Sequence, residues 1–167
     1  DKGILLRIMQ IGLPAGVQGS LFSLSNVVIQ SSINSFGAVV VAGNSAAQNV
    51  EGFVYVAMNA FSQAIVAFVS QNIGAGKNER INKVVFTTML CVFAVGLVLG
   101  NAVYLLGEPL LHLYSDSEAV IAAGVRRLSF ICTSYFLCGM MDMMVGALRG
   151  LGYSIMPMIV SLIGVCA

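Results

Sequence analysis

Two carboxylates lie inside long apolar stretches, and they are the side chains in this sequence best suited to chemistry. Asp142 is the acid most deeply enclosed by apolar sequence, whereas Glu51 lies within a turn or two of the end of its segment. An acid in such surroundings is costly to bury, so it is a candidate functional group by default. The chemistry it offers is a charge that changes when a proton, a cation or a charged ligand binds.

Each acid also has a structural alternative. Asp142 could pair with Arg149, which lies about 10 Å further along the same predicted helix, or with polar groups on a neighbouring helix. Glu51 could lie at a membrane interface, where water would solvate it. The sequence leaves both alternatives open.

Amides and hydroxyls form a second group, and their spacing places them on single faces of two predicted helices. In the first helix they recur three or four positions apart, at Ser23, Asn26, Gln30 and Asn34. In the second helix a sector of about 120° contains Gln48, Gly52, Tyr55, Asn59 and Gln63, with Glu51 and Ser62 at its edge. An unpaired amide in hydrocarbon costs several kcal/mol. These faces therefore either join helices by hydrogen bonds or line a common cavity.

A fourth predicted helix carries a related face with Tyr135, Gly139, Asp142, Gly146 and Arg149. Its glycines allow another helix or a ligand to approach closely. The predicted pathway for a cation or small molecule is lined by Asp142, Glu51, Tyr135, Asn26, Gln30, Asn34, Asn59 and Gln63.

Other kinds of site find no support in the sequence. Gly74-Ala75-Gly76-Lys77 is not a phosphate-binding loop, because that motif needs Gly in place of Gln71 and Ser or Thr in place of Asn78. The four cysteines have no CxxC spacing and His112 is the only histidine, so no metal or other cofactor is predicted. No HExxH, paired-Asp or Ser/His motif indicates an enzyme, and no basic patch indicates nucleic-acid binding.

Composition indicates that the helices carrying these residues cross a bilayer. Hydrophobic residues make up 58% of the chain, charged residues 9%, and mean hydropathy is +0.93, whereas about a quarter of residues in soluble proteins are charged. About 20 apolar residues suffice for one span. We predict an all-α, polytopic membrane helix bundle with about four complete transmembrane helices and a truncated fifth, at approximately 8–36, 46–70, 84–106, 119–148 and 153–167.

Turn signals predict the connections between these spans. Gly37 to Gly43 is predicted as an external turn, with Asn44 or Ser45 capping the second helix. Gly107-Glu108-Pro109 is predicted to end the third helix before a short helix at Leu110 to Tyr114, and Ser115 or Asp116 to cap the next helix.

Charge distribution predicts the sidedness of the bundle. The loops near 71–83 and 149–154 are predicted to be cytoplasmic because they contain Lys77, Arg80, Lys83 and Arg149. The opposite loop is acidic, with Glu108, Asp116 and Glu118. Arg126 and Arg127 are the exception, and we predict that they extend into water above the lipid.

Four short motifs, in their order and spacing, carry a resemblance to a known family. They are Gly12-Leu13-Pro14, Asn34-Ser35-Phe36-Gly37, Ser70-Gln71-Asn72-Ile73-Gly74-Ala75-Gly76 and Leu148-Arg149-Gly150-Leu151-Gly152-Tyr153-Ser154. Together they resemble the second half of multidrug and toxin extrusion (MATE) transporters, over essentially the whole chain.

The resemblance implies twelve helices in two lobes, with residues 1–167 similar to part of the carboxy-terminal lobe. It implies a secondary active multidrug exporter of the plasma (inner) membrane, which exchanges drug for Na⁺ or H⁺ by alternating access. The implied partners are the lipid bilayer, cationic or amphipathic small molecules and a missing amino-terminal lobe. Relatives with a described cation site in this lobe have acids on the first and fourth helices, whereas the first helix here has amides and hydroxyls. The coupling ion therefore stays open.

Two alternatives also stay open. One is a lipid-linked saccharide flippase of the same superfamily, which would need intramembrane cations to bind a pyrophosphate. The other is a structural half-lobe that has no activity when isolated.

Overall fold

The computed structural model describes residues 2–166 of the 167-residue chain. The regular structure of this part is entirely helical, which confirms the predicted all-α class. The helices are α1 (Lys2–Asn34), α2 (Ala38–Gly74), α3 (Asn78–Leu105), α4 (Gly107–His112), α5 (Glu118–Gly150) and α6 (Ile155–Cys166).

Three of these helices are long and apolar enough to be membrane spans, judged by length and composition. α2 has 37 residues and α3 has 28, and α5 is a third candidate when its two segments, Glu118–Cys132 and Ser134–Gly150, are counted as one bent span. These helices coincide with the predicted spans 46–70, 84–106 and 119–148. The chain is therefore a multi-pass membrane bundle.

The remaining two predicted spans coincide with α1 and α6. α1 is long enough to cross a bilayer, but its many amides, hydroxyls and glycines keep it below the hydropathy of the other candidates. α6 has 12 residues, and the last residue of its predicted span, Ala167, lies outside the described residues. That α1 and α6 lie in the membrane stays a prediction.

The predicted turn at Gly37–Gly43 is wrong, because α2 begins immediately after Gly37. The connection consists of Ser35, Phe36 and Gly37, and Gly37 has φ of +92°. The Ala/Val run after it is part of α2. Gly43 is instead a contact point, since a Cβ there would lie 2.6 Å from the carbonyl oxygen of Val120 on α5. Asn44 is buried inside α2 and caps nothing.

The predicted connection after the third helix is also displaced. α3 ends at Leu105, and Gly107-Glu108-Pro109 forms the first turn of α4 rather than the end of α3. Pro109 is compatible with that first turn, because its missing N–H would have no intrahelical acceptor there. α5 is preceded by Ser117, not by Ser115 or Asp116.

The glycines inside the predicted spans bring α5 into contact with α2 and α3. A Cβ at Gly96 on α3 would lie 3.0 Å from the Cα of Phe136, and one at Gly146 on α5 would lie 2.8 Å from the carbonyl oxygen of Ser62. Met58, Ile65, Val92 and Met143 are fully buried between the three helices. α1 and α6 pack mainly against each other, beside this three-helix core.

Two helices end in the same glycine-dependent turn. After α2, Gly76 has φ of +68°, its N–H donates to the carbonyl of Ile73, and the N–H of Lys77 donates to that of Asn72. After α5, Gly152 has φ of +90°. Its N–H donates to the carbonyl of Arg149, and the N–H of Tyr153 donates to the carbonyl of Leu148. This is the Schellman arrangement. The predicted glycine turns at 74–76 and 150–154 are thereby confirmed.

We expect Gly146→Ala to lower the thermal unfolding temperature of the full-length protein that contains this chain. The added methyl would meet backbone oxygen, which cannot move aside as a flexible side chain can, and overpacking of this kind costs about 1–3 kcal/mol. Gly52→Ala on α2 is the matched control, because nothing lies within 4 Å of a Cβ at that position. Equal unfolding temperatures for both variants in detergent would contradict the close packing of α5 on α2.

Candidate functional site

A chain of charged and amide side chains joins α1, α2 and α5, and we name it the Glu51 network. Arg127 on α5 contacts Glu51 through both carboxylate oxygens, from Nε to Oε1 at 2.8 Å and from Nη2 to Oε2 at 3.0 Å. Its Nη1 donates to Asn44 Oδ1. Asn44 in turn donates to Gln30 at 3.4 Å, and Gln30 donates to Asn34 at 3.1 Å. Three helices are thus linked by consecutive hydrogen bonds.

This network corrects two predictions. Glu51 is not a water-solvated interfacial acid, because it is only 8% exposed and its charge is matched by Arg127. Arg127 does not extend into water, unlike its exposed neighbour Arg126. Two-point contact between a guanidinium and a carboxylate is a strong, charge-assisted interaction, so Glu51 holds α2 to α5 and is not a free acid.

A second set of side chains, the Gln18 network, joins the middle of α1 and of α6 to the carboxy-terminal end of α5. Nη2 of Arg149 donates to Gln18 Oε1 at 2.6 Å, and Nε2 of Gln18 donates to the Ser161 hydroxyl at 2.5 Å. Gln18 is only 4% exposed. Sequence reasoning did not select Gln18 or Ser161 as site residues. Gln18 and Ser161 could have been noticed as polar residues inside uncharged segments, but nothing in the sequence indicated which residues they would bond.

Asp142 lies between the two networks along α5. Its backbone carbonyl accepts a hydrogen bond from the Ser62 hydroxyl at 3.0 Å. The carboxylate is half-buried and has no hydrogen bond or ion pair with any residue that the structure describes. The ion pair with Arg149 that the sequence left open is not formed, because Arg149 is bonded to Gln18 instead. Asp142 is therefore the pathway acid whose carboxylate forms no hydrogen bond or ion pair within residues 2–166.

A ladder of polar side chains runs along α2 on the side of Ser62. Asn59 donates to the Tyr55 hydroxyl at 3.2 Å, and Gln63 donates to the Asn59 carbonyl oxygen at 3.3 Å. Tyr55 and Gln63 are exposed, whereas Asn59 is half-buried. The predicted stripe is therefore present as a connected row.

The remaining predicted residues are Asn26 and Tyr135. Asn26 on α1 is exposed and lies between Gln18 and Gln30 along that helix, and Tyr135 on α5 is half-buried between Arg127 and Asp142. The structure thus brings Gln30, Asn34 and Glu51 into one network. It joins Asn59 to Gln63 by a separate hydrogen bond. The side chains of Asn26, Tyr135 and Asp142 belong to neither group.

Among the described residues no three His, Cys, Asp or Glu side chains come close enough to hold a metal ion. His112 is exposed at the end of α4. What the arrangement offers chemically is one half-buried carboxylate without a hydrogen bond or ion pair among the described residues, which suits reversible binding of a proton or a monovalent cation.

Comparison with known proteins identifies the family. The MatE family model matches residues 14–167. The chain belongs to the MatE family. This confirms the resemblance drawn from the sequence motifs, and it confirms that the chain is not an enzyme.

Relatives from several bacteria match nearly the whole chain. The "Probable multidrug resistance protein YoeA" of Bacillus subtilis is 24% identical over 99% of this chain and 36% of its own length. The "Probable multidrug resistance protein NorM" of Thermotoga maritima is 25% identical over 95% of this chain and 34% of its own length. The "Multidrug export protein MepA" of Staphylococcus saprophyticus is 24% identical over 90% of this chain and 33% of its own length. The chain thus spans about a third of the length of these curated relatives.

We expect Arg127→Met to destabilise the full-length protein by about 3–5 kcal/mol, because it leaves Glu51 as an unpaired buried charge. The double variant Arg127→Met, Glu51→Met should recover most of this loss, since neither charge then remains. Arg126→Met removes a charge from the exposed neighbour and should leave stability unchanged. Thermal unfolding of these three variants, the Glu51→Met single variant and the wild type checks this, and additive effects of the two network substitutions would contradict the pairing.

Proposed function

We propose that this chain forms part of the carboxy-terminal lobe of a secondary active multidrug exporter in the plasma (inner) membrane, which exchanges drug for Na⁺ or H⁺ by alternating access. The observation that carries the proposal is the half-buried Asp142 carboxylate, which forms no ion pair among the described residues, whereas Glu51 is paired with Arg127. The printed names of the relatives, as multidrug resistance and export proteins, support the same class of activity.

The proposed mechanism depends on a carboxylate whose charge is not already neutralised by the protein. A proton or Na⁺ bound at Asp142 removes that charge, whereas its release restores a site for a cationic substrate. A ligand shifts a conformational equilibrium only by its differential affinity for the two states. Mutually exclusive occupation of one acid provides that difference and exchanges one cation for the other.

The connected amides and phenol along α2 are proposed to line the substrate pathway. Asn59, Gln63 and Tyr55 present donors, acceptors and an aromatic ring along one side of α2. Such groups accommodate cationic and amphipathic small molecules without selecting a single shape. The opposite wall of the pathway is proposed to come from the amino-terminal lobe, and the isolated chain is then inactive.

The cytoplasmic assignment of the loops near 71–83 and 149–154 is part of this proposal. The two glycine turns follow helices α2 and α5, and the cations Lys77, Arg80, Lys83 and Arg149 lie in or beside them. Short loops rich in Lys and Arg favour the cytoplasmic side.

A flippase is less well supported by the same contacts. Arg127 is engaged by Glu51 and Arg149 by Gln18. Neither arginine is directed at the polar ladder on α2, where a pyrophosphate group would need cations.

We expect Asp142→Asn to abolish gradient-driven dye efflux by the full-length protein in proteoliposomes. The amide keeps the size of the carboxylate but cannot be protonated or carry charge, so cation exchange stops. Efflux is measured under separate Na⁺ and H⁺ gradients, and the gradient that drives wild-type efflux identifies the coupling ion. Asp116→Asn, an exposed acid before α5, is the matched control and should retain full efflux. Undiminished gradient-driven efflux by folded Asp142→Asn protein would remove Asp142 from the mechanism.

A further inference from the structure

The hydroxyl of Ser62 on α2 bonds the backbone of Asp142 on α5. Its Oγ donates to the carbonyl oxygen of Asp142 at 3.0 Å, and the serine is half-buried. A serine inside a helix often bonds the carbonyl four residues earlier in its own helix, as Ser20 and Ser70 do in this chain. Ser62 instead reaches a neighbouring helix, at the residue that carries the acid.

Gly146 makes room for this contact. In an α-helix the carbonyl of residue 142 accepts a bond from the N–H of residue 146, and a carbonyl oxygen has a second lone pair for another donor. A Cβ at Gly146 would lie 3.1 Å from the hydroxyl oxygen of Ser62 and 2.8 Å from its carbonyl oxygen. The absence of a side chain at Gly146 therefore lets the hydroxyl approach that second lone pair.

The apolar core holds both partners of this bond in place. Ile65, three residues after Ser62, and Met143, next to Asp142, are fully buried in one cluster between the helices. Because buried side chains are packed as densely as in a crystal, neither helix can rotate here without disturbing the cluster. The hydrogen bond then fixes the height of Asp142 along α2.

The charge of Asp142 depends on this placement. Its carboxylate forms no hydrogen bond or ion pair among the described residues, and only two side-chain torsions separate it from the backbone. The position of the backbone therefore decides where the charge can lie. On α2, Ser62 lies between Asn59 and Gln63, which are joined by a hydrogen bond in the polar ladder. The bond from Ser62 thus sets the height of the acid relative to that ladder.

We propose that Ser62 is a positioning residue for Asp142, whose hydroxyl holds the backbone of the acid at one height along α2 and thereby sets the affinity of the carboxylate for the coupling cation. The inference rests on the proposed cation exchange at Asp142. Binding groups act well only when the surrounding residues hold them to within about 0.5 Å. The neighbouring arginines of α5, Arg127 and Arg149, belong to the two networks described above, and Ser62 belongs to neither. Its removal therefore leaves those charges where they are.

The test measures ethidium efflux by the full-length protein in proteoliposomes as the concentration of the driving cation is varied, in separate series with Na⁺ and with H⁺. Ser62→Ala should raise the cation concentration at half-maximal efflux about fivefold, the effect of losing one hydrogen bond. The maximal rate should change much less, because a saturating cation concentration offsets weaker binding. Ser70→Ala is the matched control on the same helix. Its hydroxyl bonds carbonyls of α2 itself, so both quantities should stay at their wild-type values.

The Asp142→Asn variant, measured in parallel, separates this inference from the proposed function. A wild-type half-maximal concentration in folded Ser62→Ala protein, with efflux abolished in Asp142→Asn, would overturn the role of Ser62 and leave cation exchange at Asp142 intact. A lower maximal rate at an unchanged half-maximal concentration would also overturn it, since Ser62 would then only join the helices. Undiminished efflux by Asp142→Asn would overturn both. If Ser62→Ala does not fold, Ser62→Cys, whose thiol is a weak donor, is measured in its place and judged by the same outcomes.

Discussion

A polar group in a bilayer must find its partner inside the protein or in enclosed water, and this constraint organises the chain. Arg127 and Glu51 meet it by pairing across 76 positions of sequence, and Asn44 extends that pair to Gln30 on α1. Arg149 is joined to Gln18 by a second contact between α5 and α1. The two networks fasten α1 to the core at two points, and the segment of α5 between them contains Asp142.

Close packing explains why the core can hold buried charges in fixed positions. Gly43, Gly124 and Gly146 bring the backbones of α2 and α5 so near that added methyl groups would meet backbone or buried side-chain atoms. Arg127 then reaches Glu51 with two well-formed contacts and no intervening water. α1 and α6, in contrast, rest mainly on each other and are tied to α5 and α2 by polar bonds. Such a division between a packed core and a more loosely attached pair is suited to a protein in which one element moves against another.

Much of the fold was predictable because its signals are local. Apolar stretches of sufficient length, with few charged residues, correspond to α2, α3 and α5. Glycine at 76 and 152 corresponds to the turns that end α2 and α5. The Gly37–Gly43 turn was mispredicted because a glycine that permits a reversal and a glycine that permits helix contact look alike in sequence. Only the position of Val120 against Gly43 distinguishes the two.

The site was less predictable because its partners are distant in sequence. Periodicity placed Gln30, Asn59 and Gln63 on polar faces, but it could not show that Arg127 turns inward to Glu51 or that Arg149 bonds Gln18 in place of Asp142. These pairings decide which acid is neutralised and which is not. Glu51 is paired with Arg127, and Asp142 is the acid that we propose for cation exchange.

The central claim is that Asp142, and not Glu51, changes its charge or its bound cation during the cycle. Infrared difference spectroscopy of the full-length protein, recorded on adding Na⁺ or changing pH, measures carboxyl signals directly. The account predicts a carboxyl difference band that disappears in Asp142→Asn and persists in the Glu51→Met, Arg127→Met double variant. A band that persists in Asp142→Asn and disappears in the double variant would contradict it.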